Sequence, residues 1–215
     1  DGAVTGTYIV TNNHVIEGAS EITVTLYDGK QYPAELVGTD AQTDVAVIYI
    51  SATDLKDSLA SIGESSSLLL GQTVLAIGNP LGELAGTVTD GIISCLAREI
   101  DIDGIKMNLL QTNAAVNPGN SGGGLFNLNG QLVGLVNAKS SGEGVEGLGF
   151  AIPVDTVKEI AADLMESGYV KGRPKIGISG YEVTSDNYQG YRTQNQEVWE
   201  YINGYYTANG GKLLE

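Results

Sequence analysis

Apolar and polar positions alternate with a period of two along most of this chain. Glu21 to Tyr27 reads Glu-Ile-Thr-Val-Thr-Leu-Tyr, Asp28-Gly29 supplies a left-handed turn, and Gln31 to Val37 returns, which predicts a hairpin. Val45 to Ile50 is an unbroken apolar run and predicts a fully buried strand. Ser51 to Ser67 is polar, lacks sustained periodicity and reads as a crossing between two halves. The strand pattern then resumes. Thr73 to Ile77 runs into the turn Gly78-Asn79-Pro80, and Gly86 to Leu96 alternates again. Asp103-Gly104 and Asn129-Gly130 mark two more hairpin turns, the second joining Gly124–Leu128 to Gln131–Asn137.

The period changes once. Val157, Ile160, Ala161, Leu164 and Met165 fall at helical spacing, with Asp155 placed to cap the start after Pro153 and Gly168 placed to stop the end. This helix is expected to lay its apolar stripe on the second β unit. Val170 to Pro174 reads as a linker, and Lys175 to Glu215 is tyrosine-rich and too short and broken for a full domain. Tyr205 to Leu214, with Asn209-Gly210, suggests a hairpin. Two runs of strands separated by a crossing predict an all-β architecture of two barrels or sandwich halves. The expected divisions are 1–66, 67–168 with the helix, and 169–215.

Composition sharpens this picture. Thirty glycines in 215 residues suit tight turns, and one cysteine, Cys95, excludes an intrachain disulfide, so packing alone must hold the fold. Eleven basic residues against 26 acidic ones give a net charge of −15, which repels nucleic acid and anionic membrane surfaces and otherwise favours solubility. No apolar run approaches the ~20 residues of a membrane span. The chain opens at Asp1 without a methionine, which reads as a processed or trimmed piece. With a single histidine and a single cysteine, a His/Cys zinc site is not expected, and no metal or cofactor is implied.

Candidate chemistry sits in three places. Asn117-Pro118-Gly119-Asn120-Ser121-Gly122-Gly123-Gly124 surrounds a serine with glycines. Read blandly it is a flexible loop. Read chemically, Gly119 lets the peptide turn its N–H inward beside Ser121, as an oxyanion site requires. His14, in Ile-Val-Thr-Asn-Asn-His-Val-Ile, is the sole histidine. A lone histidine is more often incidental, yet a serine nucleophile that uses an imidazole base has no other choice here. Asp44, in Thr-Asp-Val-Ala-Val-Ile, stands at the lip of an apolar strand, either as a turn residue beside Asp40 or as the carboxylate that orients the imidazole. The order His, Asp, Ser is that of chymotrypsin, not that of subtilisin or the α/β-hydrolases.

These and further stretches resemble the HtrA/Deg family of bacterial serine proteases. The resemblance rests on Ile9–Ile16 (IVTNNHVI), Thr43–Ile48 (TDVAVI), Gly71–Leu81 (GQTVLAIGNPL), Gln111–Leu125 (QTNAAVNPGNSGGGL) and Leu148–Pro153 (LGFAIP), in the family's order over residues 6 to 170. It implies a chymotrypsin/trypsin-like double β-barrel with a helix after the second barrel and the site in the cleft between barrels. It carries over His14, Asp44 and Ser121 as the triad, with the amides of Gly119, Ser121 and Asn120 as oxyanion donors. The base of the specificity pocket would be Ala115, six before the nucleophile, with walls from Asn113, Ala114, Ala115 and Val116 and from Gly147, Leu148, Gly149, Phe150 and Ala151. That predicts a shallow apolar pocket for small or medium aliphatic side chains. Glutamyl endopeptidases are similar but use a second histidine, which this chain lacks.

The resemblance further implies regulatory loops at Leu81–Thr87, Arg98–Met107, Thr112–Gly119 and Asn137–Gly147. It implies an endopeptidase that degrades unfolded or damaged polypeptides outside the cytoplasm, in a trimeric, membrane-tethered full-length protein. The competing reading is a noncatalytic peptide-binding scaffold that keeps the fold. Two departures stand out: little precedes the histidine strand, and Ile176–Thr184, similar to the first strand of a PDZ domain, is followed by too few residues to complete one.

Overall fold

The first hairpin forms as its turn residues dictate. In the computed structural model, β2 (Ile22–Thr25) pairs antiparallel with β3 (Gln31–Asp40), and Gly29 takes φ +84° at the turn. The structure describes residues 6–55, 58–79, 86–102, 104–117, 119–138 and 147–173. Two units divide the chain, Asp1–Arg173 and Pro174–Glu215. The second unit lies outside the described residues, and with it the segments read as a PDZ-like strand and a tyrosine-rich hairpin.

The first sheet adds β1 (Thr7–Thr11) and β4 (Val45–Ile50), in the order β1-β4-β3-β2. The unbroken apolar run of β4 reflects burial on both faces: Val45, Ala46, Val47 and Ile50 are wholly buried. The second sheet contains β5 (Ser61–Ile62), β6 (Thr73–Gly78), β7 (Thr87–Ile102), β8 (Ile105–Thr112), β9 (Gly124–Asn127), β10 (Gln131–Val136) and β11 (Gly149–Pro153). Its order is β11-β8-β7-β6-β9-β10-β5, and β10 also pairs with β11 over Gly134–Val136, which curls the sheet.

This corrects the expected all-β double barrel to two sheets and a C-terminal helix. Closing a barrel requires the two outer strands to meet. Among the described residues β1 pairs only with β4 and β2 only with β3, so the first sheet is open and no pair of closed barrels forms, while the curled second sheet carries the two-residue strand β5 as an added edge beyond β10. The stretch expected as a crossing supplies β5 and, at Ser65–Ser67, a 3₁₀ turn. The stretch expected as a regulatory loop at Arg98–Met107 is instead the regular end of the β7–β8 hairpin, which turns at Gly104 (φ +82°).

The helix α2 spans Val154–Ser167 and stops at Gly168, as read from the sequence, with φ +77° and its amide on the Leu164 carbonyl at 2.8 Å. Its N-cap is Pro153, and Asp155 lies inside the first turn. The apolar stripe does more than cover the second sheet. Val157, Ile160, Ala161 and Leu164 share one core cluster with Val45 and Val47 of the first sheet and Leu135 and Ile152 of the second. A second cluster, around Val74, Ile93, Leu110, Leu125, Val133 and Val136, fills the interior of the second sheet.

Candidate active site

The carboxylate of Asp44 is aimed by the turn that precedes it. Asp40 Oδ2 accepts the Thr43 amide at 3.1 Å and also the Thr43 hydroxyl, closing the turn that leads from Asp40 to Asp44. The turn ends with Asp44 at φ +55°, the one non-glycine residue with positive φ among the described residues and a conformation that Asp tolerates. Its carboxylate then faces α1, the single turn Asn13–Ile16 that follows β1 and carries His14.

Three donors hold that carboxylate. The His14 amide reaches Oδ1 at 2.9 Å, His14 Nδ1 reaches Oδ2 at 2.6 Å, and Asn137 Nδ2 reaches Oδ2 at 2.9 Å. A carboxylate can only accept, so Nδ1 carries the proton and Nε2 is left as the acceptor. Asp44 is buried (8% exposed), while the His14 side chain keeps 21% exposure toward solvent. Beside it lies a groove lined by Glu17, Ala41, Ile102, Ile105 and Met107. The burial and the donor count together make Asp44 an orienting group for an imidazole open on its other edge.

Ser121 lies on the loop between β8 and β9. Gly119 takes φ +95°, as the glycine-rich reading required. The Asn120 amide donates to the Asn117 carbonyl at 2.9 Å and the Gly123 amide to the Asn120 carbonyl at 3.0 Å. The amides of Gly119 and Ser121 have no acceptor among the described residues, whereas that of Asn120 is committed to the turn. Ser121 Oγ accepts the Ala138 amide at 3.1 Å. No Ser121–His14 hydrogen bond is present among the described residues, and such contacts commonly tighten only around bound substrate.

Other residues join the two sides, and the sequence did not single them out for this. The Asn12 side chain, wholly buried, accepts the Gly122 amide on Oδ1 at 2.7 Å and donates through Nδ2 to the Asp44 carbonyl at 3.0 Å. Gly122 sits so close to β1 that a Cβ there would fall 2.3 Å from Thr11 Oγ1. Consecutive residues just past β10 hold the other two partners: Asn137 binds Asp44, and Ala138 binds Ser121. Their signal was the polar pair Asn12-Asn13 before the histidine and a lone Asn ending a buried strand.

The expected pocket segments come together, with an uneven division of labour. Gly149 pairs with Thr112, and a Cβ there would lie 2.8 Å from Val116 Cγ2 and 3.0 Å from the Ala114 carbonyl oxygen. Asn113 and Ala115 are exposed, Gly147 and Leu148 are exposed, and Val116 is half-buried. Ala114, Phe150 and Ala151 are core side chains, so they can offer only backbone to a pocket. The Ala115 carbonyl accepts the Thr89 hydroxyl at 2.9 Å, and the Asn113 side chain accepts the Ile92 amide at 2.7 Å, fixing this segment on β7.

Comparison with known proteins identifies the family. A family model described as the trypsin-like peptidase domain matches residues 2–135. The serine protease Do-like HtrB of Bacillus subtilis is 52% identical over 182 residues, which covers 82% of this chain and 39% of that protein. The periplasmic pH-dependent serine endoprotease DegQ of Escherichia coli is 41% identical over 181 residues, covering 83% of this chain and 39% of that protein. Among solved structures, the HtrA-type protease AlgW with a decapeptide superposes with a TM-score of 0.71 at 39% identity, covering 86% of this chain and 56% of that one. The chain thus spans about four-tenths of the length of these two curated relatives.

Proposed function

This chain belongs to the HtrA/Deg family of trypsin-like serine peptidases, and from that premise we propose that it is a serine endopeptidase with His14, Asp44 and Ser121 as its triad. The observation that carries the reading is the Asp44 carboxylate, held by three donors, one of them the protonated edge of the only histidine.

The reaction follows from these groups. Ser121 Oγ attacks the peptide carbonyl carbon while His14 Nε2 takes its proton. Asp44 holds the tautomer and stabilises the imidazolium. The tetrahedral oxyanion sits on the amides of Gly119 and Ser121. The C–N bond breaks as His14 returns the proton to the leaving amine, and an acyl-enzyme remains on Ser121. Water, deprotonated by His14, then releases the acid and restores the serine.

The substrate class proposed is unfolded polypeptide, cut after small or medium aliphatic residues at a pocket formed by Asn113–Val116 and Gly147–Ala151. An alanine at position 115 supports this, because it offers no charge to a basic or acidic side chain. The similarity to DegQ, described as periplasmic, supports a site of action outside the cytoplasm. The test is reaction with a fluorophosphonate probe, located by mass spectrometry, with Ser121→Ala as control. Adduct on Ser121 alone is the expected result. Absence of labelling in a folded chain would remove the peptidase reading.

A further inference from the structure

The chain leaving α2 does not depart into solvent but returns to the turn that presents Asp44. At Gly168 it passes β3 so closely that a Cβ on Gly38 would lie 2.6 Å from the Gly168 carbonyl oxygen. Val170 packs on the core cluster shared by both sheets. The Lys171 amide donates to Asp163 Oδ2 at 3.1 Å. Arg173 then places its guanidinium on Asp40 Oδ1 as an ion pair.

Asp40 has two oxygens and two tasks. Oδ1 takes Arg173, and Oδ2 closes the turn through the amide and hydroxyl of Thr43. The Asp40 side chain is 9% exposed and that of Arg173 is 29% exposed. Thr43 engages only Oδ2, and among the described residues Arg173 is the one basic group paired with this deeply placed carboxylate and the partner that holds Oδ1. Four residues later the turn ends in left-handed Asp44, so a shift of the Asp40 carboxylate moves the group that orients His14.

We infer that Arg173 is a positioning residue for the catalytic aspartate: through Asp40 it fixes the Asp40–Asp44 turn, so the seating of residues 168–173 governs whether Asp44 holds His14. This rests on the serine-peptidase reading above.

The test uses the full chain and Arg173→Ala, Arg173→Lys, Asp40→Asn and the double variant Arg173→Ala/Asp40→Asn. Lys171→Ala is the control, since it breaks the neighbouring 2.6 Å Lys171–Glu166 ion pair on the same segment without touching Asp40. Two readouts are taken beside the melting temperature: the second-order rate of fluorophosphonate labelling at Ser121, and the low-field proton resonance of His14 Nδ1–H. The resonance is assigned without ambiguity because the chain has one histidine.

Arg173→Ala is expected to slow labelling about tenfold and to broaden or displace the His14 signal. Arg173→Lys keeps the charge without the fork and falls in between. The double variant behaves as the singles do, the mark of one shared contact. Millimolar guanidinium partly restores Arg173→Ala and leaves Asp40→Asn unchanged. Lys171→Ala alters neither readout. Wild-type labelling and an unaltered His14 signal in Arg173→Ala would overturn the inference, as would a rate that falls only in step with melting temperature. Failure of the wild-type chain to label would instead remove the peptidase reading, while the His14 signal still decides the role of Arg173.

Discussion

Asn12 and Gly122 are joined across the two sheets: Asn12 Oδ1 accepts the Gly122 amide at 2.7 Å while its Nδ2 holds the Asp44 carbonyl at 3.0 Å. One wholly buried side chain thus connects the strand before His14, the turn bearing Asp44 and the loop bearing Ser121. Asn12→Ala removes both bonds and leaves a small void. The Gly122 amide keeps its second acceptor, the Val136 carbonyl at 3.1 Å, so the loss concentrates on Asp44. We expect destabilisation of about 2 kcal/mol in denaturant unfolding, with a fall in labelling rate larger than the unfolded fraction accounts for.

Asp44→Asn separates orientation from folding. Asn tolerates the left-handed φ of +55°, so the turn survives, whereas Asp44→Ala would add backbone strain. The asparagine side chain retains one acceptor and gains a donor, which opposes the tautomer with a proton on Nδ1. The expected result is a loss of about 10⁴-fold in kcat, far beyond what the fall in melting temperature from the one unpaired buried donor accounts for. A change of under tenfold would show that His14 is oriented by something other than this carboxylate.

Gly122→Ala tests the close approach behind the nucleophile. The new Cβ would meet Thr11 Oγ1 at 2.3 Å, in a backbone with φ +79°. Steric and conformational costs then add. Adding Thr11→Ala removes the oxygen while Thr11 Cβ, at 3.4 Å, stays. The double variant should recover the steric part and retain about 1 kcal/mol from the left-handed conformation. Chemical denaturation of Gly122→Ala, Thr11→Ala and the double variant measures both parts.

The parts of this molecule visible in the sequence are those encoded by neighbours. Asp28-Gly29 and Asn129-Gly130 specified hairpins because a glycine with positive φ is a local requirement, met at +84° and +73°. The apolar run Val45–Ile50 specified a strand buried on both faces. What stayed hidden depends on distant partners. The alternation in β7 was followed only to Leu96, yet the strand continues to Ile102 through irregular pairings near Cys95 and Arg98. Asn12 lies 32 residues from Asp44, and Asn137 lies 93 from it, so nothing nearby in the chain marks either as its ligand. Closure is hidden for a related reason: strand pattern shows which face is buried, but not whether the outer strands meet.

Asp155 is the clearest case of a local signal redirected by tertiary structure, and it yields a prediction in pH. Its position suggested an N-cap, but Pro153 occupies that place, and the carboxylate instead accepts the Ser66 amide at 2.9 Å. The Asp155 amide donates to Ser65 Oγ at 3.1 Å, and Lys158 Nζ sits 3.2 Å from Oδ1. The Ser66 amide is the main reason the carboxyl is held down at about 2, from an ordinary 3.8. A depressed folded-state value means stability that is fully present above pH 3.8 and is lost as the pH falls through about 2. The side chain is 35% exposed, so solvent screening cuts the contribution to about 1 kcal/mol. Asp155→Asn should therefore unfold at lower denaturant than the wild-type chain at pH 7, by that amount, with the gap closing as both are titrated toward pH 2. A gap that persists unchanged at pH 2 would mean that Asp155 stabilises the junction of α2 and the Ser65–Ser67 turn by shape and not by charge.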